Sequence, residues 1–126
     1  MKIIEGRAAG APSQARSDSF TGTVWADPVL SMPGELSINT VFFSPGARTF
    51  WHMHERGQIL NVLAGRGLVC TEGGRPQPIR AGDTVWIPAG ERHWHGAAPD
   101  SYMIHTATSL GRTDWQGPVA ERDYAP

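Results

Sequence analysis

The placement of glycine and proline constrains the fold of this chain most. There are 15 glycines and 10 prolines, and they mark short breaks such as MPG, SPG, GRG, RAGD and PAGE. Between the breaks lie short runs rich in β-branched, aromatic and aliphatic residues: 20–25, 36–43, 48–54, 58–64, 68–71, 84–88, 93–97 and 101–109. Turn signals about every eight to twelve residues predict a sandwich or barrel of short strands. No window keeps the period of an amphipathic helix, so we predict an all-β fold.

The length of 126 residues predicts one domain with one core. We expect an N-terminal arm at residues 1–19, which is also a candidate for an added edge strand. The barrel should span residues 20–112, and residues 113–126 should form a C-terminal tail.

Composition excludes several classes of partner. The net charge of −1 predicts neither nucleic acid nor a membrane surface as a partner. No apolar stretch approaches the ~18 residues of a spanning helix, and the N-terminus lacks the apolar run of a signal peptide. Cys70 is the single cysteine, which excludes an intrachain disulfide, and its apolar surroundings predict a buried, inert thiol. We expect a cytoplasmic protein.

The five histidines all lie between positions 52 and 105, as a metal site would require. Residues two apart on a strand share a face, so His52 and His54 should point the same way, about 7 Å apart along the chain. The turn ERG then places Gln58 at the start of the next strand, with its carbonyl oxygen near both imidazoles. His93 follows another turn and could complete the set. A His-x-His pair alone would fit two solvated histidines equally well.

The glycine and histidine spacing resembles that of a known family. GARTFWHMHERGQILNVLAG is similar to the first cupin motif and GDTVWIPAGERH to the second. This resemblance implies a small jelly-roll β-barrel that binds one divalent metal through His52, His54, Gln58 and His93. Two positions depart from the usual pattern, since Gln58 replaces a glutamate and Ala97 an asparagine.

A narrower resemblance connects FTGTVWADP, GDTVWIPAGERHWHGAAP and the C-terminal Asp-Trp to the small manganese-dependent cupins with hydroxynitrile lyase activity. It implies reversible cleavage of a cyanohydrin into an aldehyde and cyanide. It also favours Mn(II), although Fe, Ni, Co or Zn would suit the same donors.

A neutral ligand set has chemical consequences. Three imidazoles and an amide leave the full charge of a divalent ion in place, which strengthens it as a Lewis acid and favours anions. Glutamine cannot act as a general base, so another residue must transfer protons. His95 and His105 are the candidates. His105 is favoured, because it shares a strand face with Met103, Ala107 and Ser109 that would place it near the metal if that face is inward; a satisfied core or rim histidine is the alternative. We interpret His95 as a structural or pocket residue.

Strand alternation also predicts the wall of a substrate pocket. Its expected members are Asn39, Val41, Phe50, Leu60 and His95, and the resemblance places pocket residues at Asn39, Val41 and His105. Ordinary barrel core is an equal alternative for Val41 and Leu60. Trp51, Trp86 and Trp94 alternate with the expected ligands and should pack outside the barrel. An outer aromatic surface would suit a homodimer or a higher homo-oligomer.

The sequence therefore predicts a metal-dependent lyase of hydroxynitrile lyase type acting on a small molecule. A metal-dependent cupin dioxygenase or isomerase is a second hypothesis. A non-enzymatic cupin that binds a small ligand is a third.

Overall fold

The structure, a computed structural model, describes residues 1–5 and 12–126. Part of the expected N-terminal arm, residues 6–11, lies outside the described residues. The described chain forms twelve strands and one short helix: β1 (Gln14–Arg16), β2 (Phe20–Thr21), β3 (Val24–Met32), β4 (Leu36–Phe43), β5 (Arg48–Thr49), β6 (His52–His54), β7 (Gln58–Thr71), β8 (Gln77–Arg80), β9 (Thr84–Ile87), β10 (His93–Ala97), β11 (Met103–Leu110), β12 (Thr113–Trp115) and α1 (Glu121–Tyr124). The all-β prediction is confirmed.

The strands form an antiparallel barrel of jelly-roll type. Along the main path of the sheet the order is β1-β3-β4-β11-β7-β10-β5-β2, and β6, β8, β9 and β12 pair beside it. The first half of β7 pairs with β11, and its second half pairs with β10. This long strand therefore joins the two halves of the barrel.

The sequence predicted two strands, 58–64 and 68–71, where the structure has the single strand β7. Gly65 lies at the predicted break with φ +76, but hydrogen bonding continues past it. A Cβ at Gly65 would collide with the carbonyl oxygen of Tyr102. The glycine therefore bends the strand and allows a close approach of the backbone instead of ending the strand.

Two other predicted boundaries are wrong. The predicted run 20–25 ends too early, because Asp27 and Pro28 lie inside β3, where the register against β4 shifts between Pro28 and Leu30. A proline is tolerated there because β1 pairs only with residues 24–26 of this strand, which leaves this stretch on the sheet edge. The run 48–54 is split into β5 and β6, and Phe50 lies in the gap between them.

Trp86 is 57% exposed, as its outward position predicts, whereas Trp94 lies on the outer side of β10 but is fully buried there. Trp94 packs in a second cluster with Cys70, Val119 and Tyr124, and its ring centroid lies 5.5 Å from that of Tyr124. The C-terminal segment thus covers the outer side of β10. Cys70 is buried as predicted, and burial raises the pKa of its thiol.

The C-terminal segment is held by specific contacts. The Tyr124 hydroxyl donates a 2.7 Å hydrogen bond to the Ala97 carbonyl, and the Arg48 guanidinium lies 4.4 Å above the Tyr124 ring. Arg48 also donates to the Val119 carbonyl and pairs with Glu121. Within the described chain, no helix has the length and apolar character that crossing a bilayer requires.

Candidate metal centre and active site

Strand pairing brings the predicted ligands together. His93 on β10 lies directly opposite His52 on β6, and their ring centroids are 4.2 Å apart. His54, two residues along β6, shares the inward face, with its centroid 4.9 Å from that of His52. Gln58 opens β7 after the ERG turn and is buried. All four side chains therefore meet inside the barrel.

Hydrogen bonds at the Nδ1 atoms orient these imidazoles. The Nδ1 of His52 donates to the Phe50 carbonyl, and that of His93 donates to the Glu91 carbonyl, both at 2.9 Å. A carbonyl oxygen can only accept, so each neutral ring keeps its lone pair on Nε2. The Nδ1 of His54 lies 3.0 Å from the Thr113 hydroxyl oxygen. Such outer contacts are the usual way in which proteins orient metal-binding histidines.

The Nε2 atoms of these rings fit a cation. Those of His52 and His54 are buried and have no hydrogen-bond partner among the described residues. The Nε2 of His93 lies 3.0 Å from the Oε1 of Gln58. Since both atoms present lone pairs, they repel each other unless a cation or a proton lies between them. Two donors bound to one cation at about 2.1 Å and at a right angle lie about 3.0 Å apart.

The pKa shifts argue against a proton at this position. Burial lowers the pKa of His93 to about 4. Burial, and then the neighbouring His93, lowers the pKa of His54 to about 4 and that of His52 well below its ordinary value. The imidazoles are therefore neutral at pH 7, which is the form that binds metals. The donor set fits one divalent metal ion held without a carboxylate.

A fifth imidazole adjoins this group. One ring nitrogen from each of His52, His93 and His95 lies within 4.8 Å of the others, which is close enough for these three to hold one ion. The sequence placed His54 in the set instead of His95. The Nδ1 of His95 is occupied by another histidine, whereas the ligand-like orientation through Nδ1 is found at His52, His54 and His93. His95 therefore differs from the other three imidazoles in the partner of its Nδ1, while its Nε2, like those of His52 and His54, is without a partner in the described chain.

His95 and His105 form a buried pair. The Nε2 of His105 lies 2.9 Å from the Nδ1 of His95, so one ring donates and the other accepts. Burial lowers the pKa of His105 to about 4, and burial together with His105 lowers the pKa of His95 well below its ordinary value. The outer nitrogens, Nε2 of His95 and Nδ1 of His105, have no partner in the part of the chain that the structure describes. The pair can accept a proton at one end and pass it along.

The cluster opens into a cavity of about 400 Å³, a volume typical of small-molecule sites. Among the residues predicted for a pocket, Asn39, Val41 and His95 line it, as does His105. Phe50 and Leu60 are not part of the described wall. Phe50 lies between β5 and β6, and Leu60 packs with Ile87 and Ala107.

The sequence missed three polar or aromatic members of the site. Register places Ser109 opposite Gln58, Thr113 opposite His54 and Trp115 opposite His52. The Trp115 ring lies 4.5 Å from that of His52. Two of the three could have been found in the sequence. Ser109 shares the predicted inward face of β11, and Trp115 belongs to the Asp-Trp pair of the lyase resemblance. Thr113 carried no signal, because it falls in the expected tail.

Comparison with known sequences identifies a protein family and a relative of this chain. The Cupin domain model matches residues 39–105. A (R)-mandelonitrile lyase from Granulicella tundricola is 43% identical over 120 residues, which covers 90% of this chain and 92% of that protein.

Solved structures share the fold. A cupin-like protein from Thermotoga maritima is 37% identical, with a TM-score of 0.82 and coverage of 98% of this chain and 95% of that one. A predicted oxalate decarboxylase, also from Thermotoga maritima, is 22% identical, with a TM-score of 0.74 and coverage of 88% and 100%. At 22% identity, the similarity to the second structure shows the shared fold alone.

Proposed function

Because this chain belongs to the cupin family, we propose that it is a metal-dependent lyase of hydroxynitrile lyase type. It would cleave a cyanohydrin into an aldehyde and hydrogen cyanide, or form the cyanohydrin in reverse. The observation that carries this proposal is the buried set of neutral donors beside the His95–His105 pair, both opening into one cavity. The 43% identity to a mandelonitrile lyase supports the reaction type.

His52, His54, Gln58 and His93 are the proposed metal ligands, and Mn(II) is the favoured ion. An ion held by four neutral donors would supply an undiminished positive charge to polarise a substrate oxygen. The chain itself supplies little compensating charge, because Asp18 is the one carboxylate in the described cavity wall and it is exposed.

His95 and His105 would carry the proton, with His95 as the first acceptor, whereas the sequence favoured His105 for that role. The neutral His95 ring can take the hydroxyl proton of a cyanohydrin at its free Nε2 while the bond between carbon and the nitrile carbon breaks. The same proton then passes to the released cyanide, so the ring returns to its starting state. His105 steadies the charged His95 ring through their 2.9 Å contact. The lowered pKa of each ring keeps the pair neutral, and so able to accept a proton, at pH 7.

The cavity wall supports an apolar substituent on the substrate. Val41 and Phe43 lie beside the histidine pair, and the Phe43 ring contacts His105 edge-on with centroids 5.1 Å apart. Trp115 and Phe20 form a second aromatic surface, 5.6 Å between centroids, on the cavity wall. An aromatic or aliphatic aldehyde fits between these surfaces better than a charged one.

Cyanide release from mandelonitrile by the Mn(II)-loaded protein tests the reaction. His54→Ala should abolish release with the fold retained by circular dichroism. His105→Phe removes the ring that steadies His95 and should lower kcat while Mn(II) affinity stays unchanged. His95→Phe removes the proton acceptor itself and should lower kcat by about 100-fold or more, since general acid–base groups contribute about that much. Absence of cyanide release from the metal-loaded wild type would reject the lyase proposal. Dioxygen uptake with a phenolic substrate would instead support the oxygenase.

We also propose that two copies associate through exposed aromatic residues on the barrel, in a cytoplasmic protein. Trp25 and Tyr102 are each more than 40% exposed, and Tyr102 stacks on Phe42 with centroids 6.1 Å apart. Light scattering at several protein concentrations measures this association, and a monomer at every concentration would exclude it.

A further inference from the structure

Ser109 is the direct partner of Gln58. Register places the two residues opposite each other on β11 and β7. The Nε2 of Gln58 donates a 3.0 Å hydrogen bond to the Ser109 hydroxyl, and the Oε1 of the same amide lies 3.0 Å from the Nε2 of His93. Both side chains are buried, at 3% and 8% exposure. The orientation of the Gln58 amide is thus set between a serine on one side and a histidine on the other.

The two ends of an amide are not interchangeable for binding a cation. Only the carbonyl oxygen has a lone pair for a cation, whereas the NH₂ group can only donate hydrogen bonds. The Glu91 carbonyl fixes the proton of His93 on Nδ1, so Nε2 of His93 would accept a hydrogen bond from a reversed amide. Without a cation, local hydrogen bonding at His93 therefore favours the reversed orientation. On the far side of Gln58, the Ser109 hydroxyl supplies the acceptor that the NH₂ group needs in the observed orientation.

We propose that Ser109 is a positioning residue that holds the Gln58 carbonyl oxygen toward the imidazoles and so allows a neutral amide to serve as a metal donor. This inference rests on the metal site of the proposed function. If the hydroxyl is removed, the NH₂ group of Gln58 is buried without an acceptor whenever the carbonyl oxygen faces the cation. A glutamate would not need this partner, because the two oxygens of a carboxylate are equivalent.

Isothermal titration of metal-free protein with Mn(II) chloride tests this role. Ser109→Ala should weaken Mn(II) binding by about 10- to 100-fold, as is typical for loss of an outer partner of a ligand. Ser109→Thr keeps the hydroxyl and should restore most of the affinity. Ser37→Ala is the matched control, because Ser37 lies opposite Ser109 on β4 and makes no hydrogen bond to Gln58 in the described structure.

The decisive comparison uses Gln58→Glu as a second background. There Ser109→Ala should change Mn(II) affinity by less than about threefold, because either carboxylate oxygen can face the ion. An equal loss in both backgrounds would mean that Ser109 acts only through packing, and an unchanged affinity of Ser109→Ala in the native background would also overturn the inference. If the wild type itself binds no Mn(II), the metal site of the proposed function fails together with the inference. If the wild type binds Mn(II) and Ser109→Ala binds it equally well, only the role of Ser109 fails.

Discussion

Thr113 orients His54, and Thr113→Val tests how much that contact contributes. Valine has nearly the shape of threonine but lacks the hydroxyl oxygen that lies 3.0 Å from the Nδ1 of His54. His54 is 2% exposed, so water cannot readily replace the lost partner. A buried donor or acceptor left unsatisfied costs about 1–3 kcal/mol. We therefore expect the free energy of unfolding of the metal-free protein to fall by that amount.

The same substitution should weaken metal binding. The His54 ring loses the contact that directs Nε2 toward the other donors, and loss of such a contact typically lowers metal affinity by about 10- to 100-fold. Urea unfolding of metal-free protein and calorimetric titration with Mn(II) measure the two effects separately.

Thr108→Val is the matched control, since Thr108 lies on the outward face of β11, where side chains alternate with buried ones. It should leave Mn(II) affinity unchanged. If Thr113→Val matches Thr108→Val in both stability and Mn(II) affinity, the orienting role of Thr113 is refuted.

Two further predictions concern stability. Three buried histidines share a pKa of about 4: His54, His93 and His105. In the unfolded chain these imidazoles have a pKa near 6.5, so the unfolded state binds more protons than the folded state between pH 6.5 and 4. The metal-free protein should therefore lose stability as pH falls through this range, by roughly 2 kcal/mol for each histidine at pH 5. Equal urea midpoints at pH 7.5 and pH 5 would contradict this. Gly65 and Gly34 both have φ +76, but only at Gly65 would a Cβ meet a neighbouring carbonyl oxygen. Gly65→Ala should therefore destabilise by at least about 2 kcal/mol more than Gly34→Ala, and similar thermal midpoints for the two would show that the close approach is unimportant.

The strands at the site were predictable because they depend on local properties of the chain. Alternation along an extended strand put His52 and His54 on one face, and turn residues marked the start of β7 at Gln58. The same reasoning failed at Phe50, because the chain breaks between β5 and β6 and alternation does not continue across such a gap. Alternation put Trp94 on the outward side correctly, but it could not show that a distant segment carrying Tyr124 buries this residue.

The sequence by itself determined the residue types and the short-range geometry: an all-β chain, two histidines sharing a face, and an amide where a carboxylate is usual. Tertiary structure decided the partners of those residues. Ser109 meets Gln58 and His105 meets His95 only because the barrel folds strands distant in sequence around β7. Those contacts set which nitrogen of each ring is free and which end of the amide faces inward. Hydrogen bonds between distant strands leave no periodic trace in the sequence, so only the folded chain reveals them.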